Sequence, residues 1–192
     1  MSYTSPLSSP DSYISRISSL SSEAIAIDKG VDRATRDATE FETKYISDFG
    51  LVTDLKTSTH LFSSRWVNVL QQTRDAASSI SGWYQRFDQV FLDMINDIAS
   101  DGDAKDVADE FRAWINEPYP STTYNLNDVP GLKKSFNDIE RLVTAESQNV
   151  IQILEGNKWK AAVGKLNQDL PAIKNGIQRM RGALNQYATK LE

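Results

Sequence analysis

A heptad pattern runs without interruption through residues 159–191, WKAAVGKLNQDLPAIKNGIQRMRGALNQYATKL. Its apolar side chains recur at alternating steps of three and four residues, which places them on one stripe of an α-helix. The ten positions are Trp159, Val163, Leu166, Leu170, Ile173, Ile177, Met180, Leu184, Tyr187 and Leu191. The pattern predicts a long helix packed side by side with other helices, with a kink at Pro171.

A second heptad stripe lies near the start of the sequence. It predicts a helix over residues 10–49, about 60 Å long at ~1.5 Å per residue, with Gly50 as its terminator. The heptad phase continues across Gly50, so the sequence leaves open whether this helix and the next are separate or continuous. The stripe consists of Tyr13, Ile17, Leu20, Ala24, Ile27, Val31, Ala34, Ala38, Phe41 and Tyr45.

The next segment, from about residue 54 to 100, carries two adjacent apolar stripes, which predict a helix that touches more than one neighbour. The first contains Val52, Leu55, Thr59, Phe62, Trp66, Val69, Thr73, Ala76, Ile80, Trp83, Phe87, Val90 and Met94. The second contains Val67, Leu70, Ala77, Tyr84, Phe91, Ile95 and Ile98. The triplet Asp101-Gly102-Asp103 is predicted to end this helix and to cap a short one.

A loop and one more helix complete the predicted bundle. A loop over residues 117–128 leads into a helix that Asp128 and Pro130 open and Gly156 closes. We therefore predict an all-α fold, an elongated antiparallel bundle of about four long heptad-patterned helices plus one short helix. Residues 1–9 are Ser-rich and are predicted to be a flexible tail, and residues 10–192 a single helical-bundle domain.

Composition excludes several classes of protein. None of the 192 residues is cysteine, so the chain has neither disulfides nor thiolate metal sites. A net charge of −5 disfavours nucleic acid as a partner. The sequence shows no secretory signal and no apolar run of about 18 residues. We predict a cytoplasmic protein, with secretion as a processed or non-classical product left open.

Catalytic motifs are missing from the sequence. His60 is the only histidine, and neither Glu-x-x-His nor His-Glu-x-x-His is present. The glycines fit no phosphate-binding loop, and the acidic stretch around Gly102 lacks the oxygen ligands of a calcium loop. We predict a protein that is not an enzyme, with no catalytic, cofactor-binding or metal-binding residue and no cofactor.

Two groups of residues are candidates for contact with a protein partner. Tyr119 and Tyr124 lie in the proline-containing loop, although they could equally fold back onto the bundle. A basic C-terminal region could dock an acidic partner, or could instead face the acidic residues 88–110 across the bundle. Its candidate residues are Lys158, Lys160, Lys165, Lys174, Arg179 and Arg181.

Three functions are compatible with these observations. The first, which we prefer, is non-catalytic protein–protein interaction or self-association. The second is a soluble bundle of the α-helical pore-forming or lipid-binding type, with a membrane as a possible partner. Its membrane-active helix would span residues 80–98 and carry Trp83, Tyr84, Phe87 and Phe91. The third is a carrier that holds an apolar small molecule in the bundle core.

Overall fold

The computed structural model describes residues 3–45 and 54–192, and in this part of the chain every regular element is helical. The long elements are α1 (Asp11–Tyr45), α2 (Leu55–Arg86), α3 (Asp101–Ile115), α4 (Pro130–Glu155) and α5 (Trp159–Lys190). The predicted all-α class is confirmed. The expected terminator Gly50, and the question of whether the first two helices are continuous, fall on residues 46–53, outside the described residues.

Helix α2 continues into a wider turn at its C-terminal end. A π-helical turn (Phe87–Phe91) is followed by an α-helical turn (Leu92–Met94) and a 3-10 turn (Ile95–Asp97). A π turn holds an extra residue, so it changes which side chains face the core. Val90, which the heptad places in the core, is 47% exposed, whereas Phe91 and Leu92 are buried. The heptad prediction is wrong at Val90 for this reason.

Side chains at the helix termini account for the boundaries of the later helices. Ser100, rather than the predicted Asp101-Gly102-Asp103 triplet, is the N-cap of α3, and it forms a capping box with Asp103. The hydrogen bonds with Ser100 hold the pKa of the Asp103 carboxyl below its usual range. Pro130 occupies the first turn of α4 and Gly156 is its C-cap, as predicted.

Helix α5 supplies one side of the core. It packs most extensively against α2, and α3 packs against α4. The eight heptad positions from Val163 to Tyr187 are all buried, and Trp159 and Leu191 pack against the same core. The core placement predicted from this heptad is therefore confirmed. The helix runs through Pro171 as one element.

The N-terminal segment differs from the expected flexible tail. Pro6–Ser8 form a 3-10 turn capped by Ser5, and Leu7 is fully buried. This turn packs on α5, where the backbone of Leu7 lies directly over Gly176. Residues 3–9 are therefore part of the fold, because the tail contains an apolar side chain and the helix has no side chain at the contact point.

Candidate protein interface on the α1–α2 arm

The heptad stripe of α1 is only half covered in the structure. Its inner positions Ala24, Val31 and Ala38 are buried, but they do not join the main core cluster. On the same stripe, Ile27 is 50% exposed and Phe41 is 43% exposed. A heptad stripe that is partly buried and partly exposed is typical of a helix that packs against one neighbour although its apolar surface is wide enough for two.

The rest of the bundle ends part-way along α2. Near the C-terminal end of α5, the Tyr187 hydroxyl donates a hydrogen bond to Thr73 Oγ1 at 3.0 Å. Just before α4, Asp128 Oδ2 lies 3.8 Å from Arg65 Nη2. The structure therefore presents residues 24–45 and 54–69 as a two-helix projection, which we call the arm.

Two polar contacts hold the helices of the arm together. Trp66 donates its indole N–H to Asp28 Oδ1 at 3.0 Å. Nearer the tip, the Glu42 carboxylate accepts the backbone N–H of Lys56 at 2.7 Å, which satisfies one of the free N–H groups in the first turn of α2. These contacts fix the two helices against each other and leave their outer rows exposed.

An apolar groove follows the arm between α1 and α2. Three adjoining hollows, with volumes of about 190, 310 and 440 Å³, all have Ile27 in their walls. Phe62 lines the two hollows farther from the bundle core. We call this surface the arm groove and define it by the exposed apolar rows that border it, namely Ile27, Ala34 and Phe41 of α1 with Leu55 and Phe62 of α2.

The hollow nearest the core is suited to a single large side chain. It lies among Leu20, Leu70, Trp66 and Tyr187, and its volume of about 190 Å³ exceeds the ~150 Å³ apolar cavity known to hold benzene. Burial raises the pKa of Tyr187 to about 12, so its ring stays neutral and remains part of an apolar wall.

The predicted contact residues Tyr119 and Tyr124 fold back onto the bundle. Tyr119 shares a hydrogen bond of 2.8 Å with Thr144 Oγ1, and Tyr124 shares one of 2.6 Å with Ser79 Oγ. Both rings are half-buried. Of the two alternatives that the sequence left open, the structure supports the one in which the loop covers the bundle.

The buried side chain of Glu140 anchors the same loop by hydrogen bonds to Ser121. Its carboxylate accepts the backbone N–H of Ser121 at 2.9 Å and the Ser121 hydroxyl at 2.8 Å. Burial raises the pKa of Glu140, although the hydrogen bonds from Ser121 oppose this effect. The folded protein therefore retains a proton on Glu140 at pH values where the unfolded chain has released it.

This titration gives a test of the loop anchor. We expect the free energy of unfolding to fall as the pH rises above 4.5, the ordinary pKa of a glutamate, because the unfolded chain then releases this proton while the native state still holds it. Glu140→Gln should remove this part of the pH dependence and cost about 1 kcal/mol in lost hydrogen bonding. Urea unfolding between pH 4 and 8 measures both, with the exposed Glu110→Gln as control. An unchanged pH dependence in Glu140→Gln would contradict the assignment.

Two of the predicted basic contacts, Lys174 and Arg179, form ion pairs within the chain. Lys174 Nζ lies 3.1 Å from Asp88 Oδ1 and 2.5 Å from Asp93 Oδ1. Burial lowers the pKa of Lys174, but these carboxylates outweigh it and the pKa is raised. Arg179 pairs with Asp11. The basic and acidic segments thus face each other at Lys174, which was the alternative to a docking face.

The remaining predicted cations do not form one surface with these. Arg181 donates to the carbonyl oxygen of Ser81 at 3.1 Å. Lys158 and Lys160 are exposed near the start of α5, with Lys160 over the Trp159 ring at 5.5 Å. Lys165 lies in the wall of a separate cleft, described below.

The predicted membrane-active residues form an aromatic cluster inside the bundle. Tyr84, Phe87 and Phe91 are buried, and Trp83 is half-buried. Trp83 stacks on Trp114 with ring centroids 5.0 Å apart. These side chains would meet lipid only if α2 separated from its neighbours, so membrane activity stays a prediction.

Two searches of the described residues, 3–45 and 54–192, found no candidate site or span. No helix there is long and apolar enough to cross a membrane, and no three His, Asp or Glu side chains are grouped as a metal site requires. No known family model matches the chain, and no curated protein matches it in sequence.

Proposed function

We propose that this protein is a non-catalytic, elongated antiparallel helical bundle that self-associates by packing the arm groove of one copy against that of another. The observation that carries the proposal is the exposed outer row of two heptad-patterned helices. A second pair of such helices would bury these side chains and complete a four-helix bundle.

The order of contacts between helices supports the antiparallel arrangement. Asp28 meets Trp66, and the later residue Glu42 meets the earlier residue Lys56, so α1 and α2 run in opposite directions. Between α2 and α5 the same order holds, since Thr73 meets Tyr187 whereas Asp88 meets Gln178.

The symmetry of the groove favours a second copy as the partner. Each arm offers two parallel rows of apolar side chains, and two such surfaces related by a two-fold axis bury one another's exposed rows. Ile27 and Phe62, the most exposed members of the wall, would lie near the centre of the contact. Large apolar side chains at the centre of an interface contribute most of its affinity.

Charge also favours self-association through the arm. Residues 24–45 and 54–69 contain six acidic and six basic side chains, although the whole chain has a net charge of −5. Two arms therefore meet without net repulsion, whereas other faces of the protein carry the excess negative charge.

Sedimentation equilibrium over a range of protein concentrations tests this proposal. We expect the wild-type chain to form dimers, and Ile27→Glu or Phe62→Glu to weaken dimerisation by about 30-fold or more, the equivalent of a 2 kcal/mol interface residue. Val90→Glu is the matched control, because Val90 is also an exposed apolar residue, at 47%, but lies outside the arm. Circular dichroism should show that all three variants remain folded.

Two results would count against self-association through the arm. One is a wild-type chain that stays monomeric at the highest concentration measured. The other is dimerisation that Val90→Glu weakens as much as Phe62→Glu does, which would place the interface elsewhere.

A further inference from the structure

A second concave site lies between the N-terminal segment, α4 and α5, away from the arm groove. Its volume is about 520 Å³. The N-terminal segment and α4 contribute mainly hydroxyl, amide and carboxylate side chains to its wall, and α5 contributes both apolar and charged side chains. We call this site the N-terminal cleft; among its wall residues are Tyr3, Ser5, Glu146, Asn149, Leu166 and Ile173.

Glu146 is the unusual member of this wall. Its side chain is fully buried, and its Oε2 accepts a hydrogen bond from the Tyr3 hydroxyl at 3.1 Å. Its other oxygen, Oε1, has no hydrogen-bond partner among the described residues. A buried carboxylate oxygen without a donor is costly, and this one belongs to a residue that lines an open cleft.

The charges around the cleft indicate what would satisfy this oxygen. Glu146 and Asp169 are acidic and Lys165 is the one basic residue in the lining, so the described wall carries a net negative charge. Ile153 and Ala162, both half-buried, provide an apolar surface in the same wall. The missing partner is therefore a hydrogen-bond donor that carries positive charge and a short hydrocarbon group.

We propose that the N-terminal cleft binds a small organic amine in its protonated form. The ammonium group donates to Glu146 Oε1, and the hydrocarbon stem lies along Ile153 and Ala162. Asp169 at the edge of the cleft adds attraction at longer range. Nothing in this assignment depends on the arm groove or on self-association.

Amide chemical shifts of the labelled full-length chain test the proposal, with butylammonium chloride as the probe at constant ionic strength. We expect saturable shifts for residues that line the cleft, and a loss of affinity of about tenfold or more in Glu146→Gln, as for loss of a charge-assisted hydrogen bond. Asp169→Asn, at an exposed position, should weaken binding by a smaller factor. Asp106→Asn, on the exposed face of α3, should leave binding unchanged.

The matched probes 1-butanol and butyrate decide whether charge is recognised. Neither should give saturable shifts. Absence of saturable binding by butylammonium, equal binding to Glu146→Gln, or equal binding of 1-butanol would each overturn the proposal. If Glu146→Gln does not fold, the comparison of Asp169→Asn with Asp106→Asn still tests it, since equal affinities in those two would contradict the predicted charge dependence.

The pH dependence of binding provides a second readout. Burial raises the pKa of Glu146, against the hydrogen bond that the Tyr3 hydroxyl donates to its carboxylate, and the nearby Asp169 carboxylate raises it further. An ammonium ion binds the ionised carboxylate, so butylammonium affinity should rise with pH above 4.5, the ordinary pKa of a glutamate, as Glu146 loses its proton. The other titratable groups in the wall are Tyr3, Lys165 and Asp169. Glu146→Gln should remove most of the rise.

Discussion

Gly176→Ala is expected to displace the N-terminal segment and to lower the free energy of unfolding by about 1–3 kcal/mol. A methyl group on Gly176 would overlap the carbonyl oxygen of Leu7 and crowd Pro10. The atoms it meets first belong to the backbone, so no side-chain rotation relieves the overlap. If the segment leaves its site, the burial of Leu7, worth about 2 kcal/mol, is lost.

Gly182→Ala is the matched control on the same helix. Nothing lies within 4 Å of a β-carbon at this position, so alanine should stabilise α5 by about 1 kcal/mol through its higher helix propensity. Thermal unfolding measures both variants, and limited proteolysis of residues 3–10 reports displacement of the segment. Equal melting temperatures for the two variants would show that Leu7 does not pack on Gly176.

Leu170→Asp is expected to abolish cooperative unfolding. Leu170 is 3% exposed in the heptad stripe of α5, and the substitution combines the loss of a buried leucine with a carboxylate in an apolar environment. Together these are comparable with the 5–15 kcal/mol by which a domain of this kind is usually stable. Urea unfolding followed by circular dichroism should show no sigmoidal transition.

The same substitution in the other heptad provides the contrast. Ile27→Asp introduces the same charge at a heptad position of α1, but Ile27 is half exposed. At protein concentrations where the chain is monomeric, it should cost about 1 kcal/mol, through slightly lower helix propensity and loss of the half-buried isoleucine surface. A loss of folding in Ile27→Asp would mean that the arm is covered in solution even in the monomer.

These two heptads show how far the sequence determines the fold. The spacing of Trp159 to Leu191 and of Tyr13 to Tyr45 predicts two long helices correctly over the described residues, because periodicity depends only on local geometry. It does not reveal how many neighbours each helix has. The α5 stripe is buried from Val163 to Tyr187, whereas three of the ten positions of the α1 stripe open onto the arm groove, and this difference depends on where the other helices end.

Other features of the candidate sites depend on contacts between distant parts of the chain. The sequence around Leu7 is Ser-rich, and its burial follows from the bare backbone at Gly176, which is 169 residues away in sequence. Glu146 has an ordinary helical context, and only the approach of Tyr3 and α5 encloses it. The sequence does give a weak indication that the α1 stripe packs differently from the α5 stripe. The α1 stripe has small alanines at positions 24, 34 and 38, where α5 has larger residues.

The π-helical turn Phe87–Phe91 has a consequence for the length of the chain. Such a turn holds one residue more than an α-helical turn, and here the exposed Val90 lies within it while Lys174 Nζ binds the Asp88 carbonyl oxygen at 2.9 Å. Deletion of a single residue in this turn would convert it to an ordinary α-helical turn. The side chains before and after it, such as Tyr84 and Ile95, would keep their orientation relative to each other. Related chains that differ in length by one residue at this point can therefore share the same bundle.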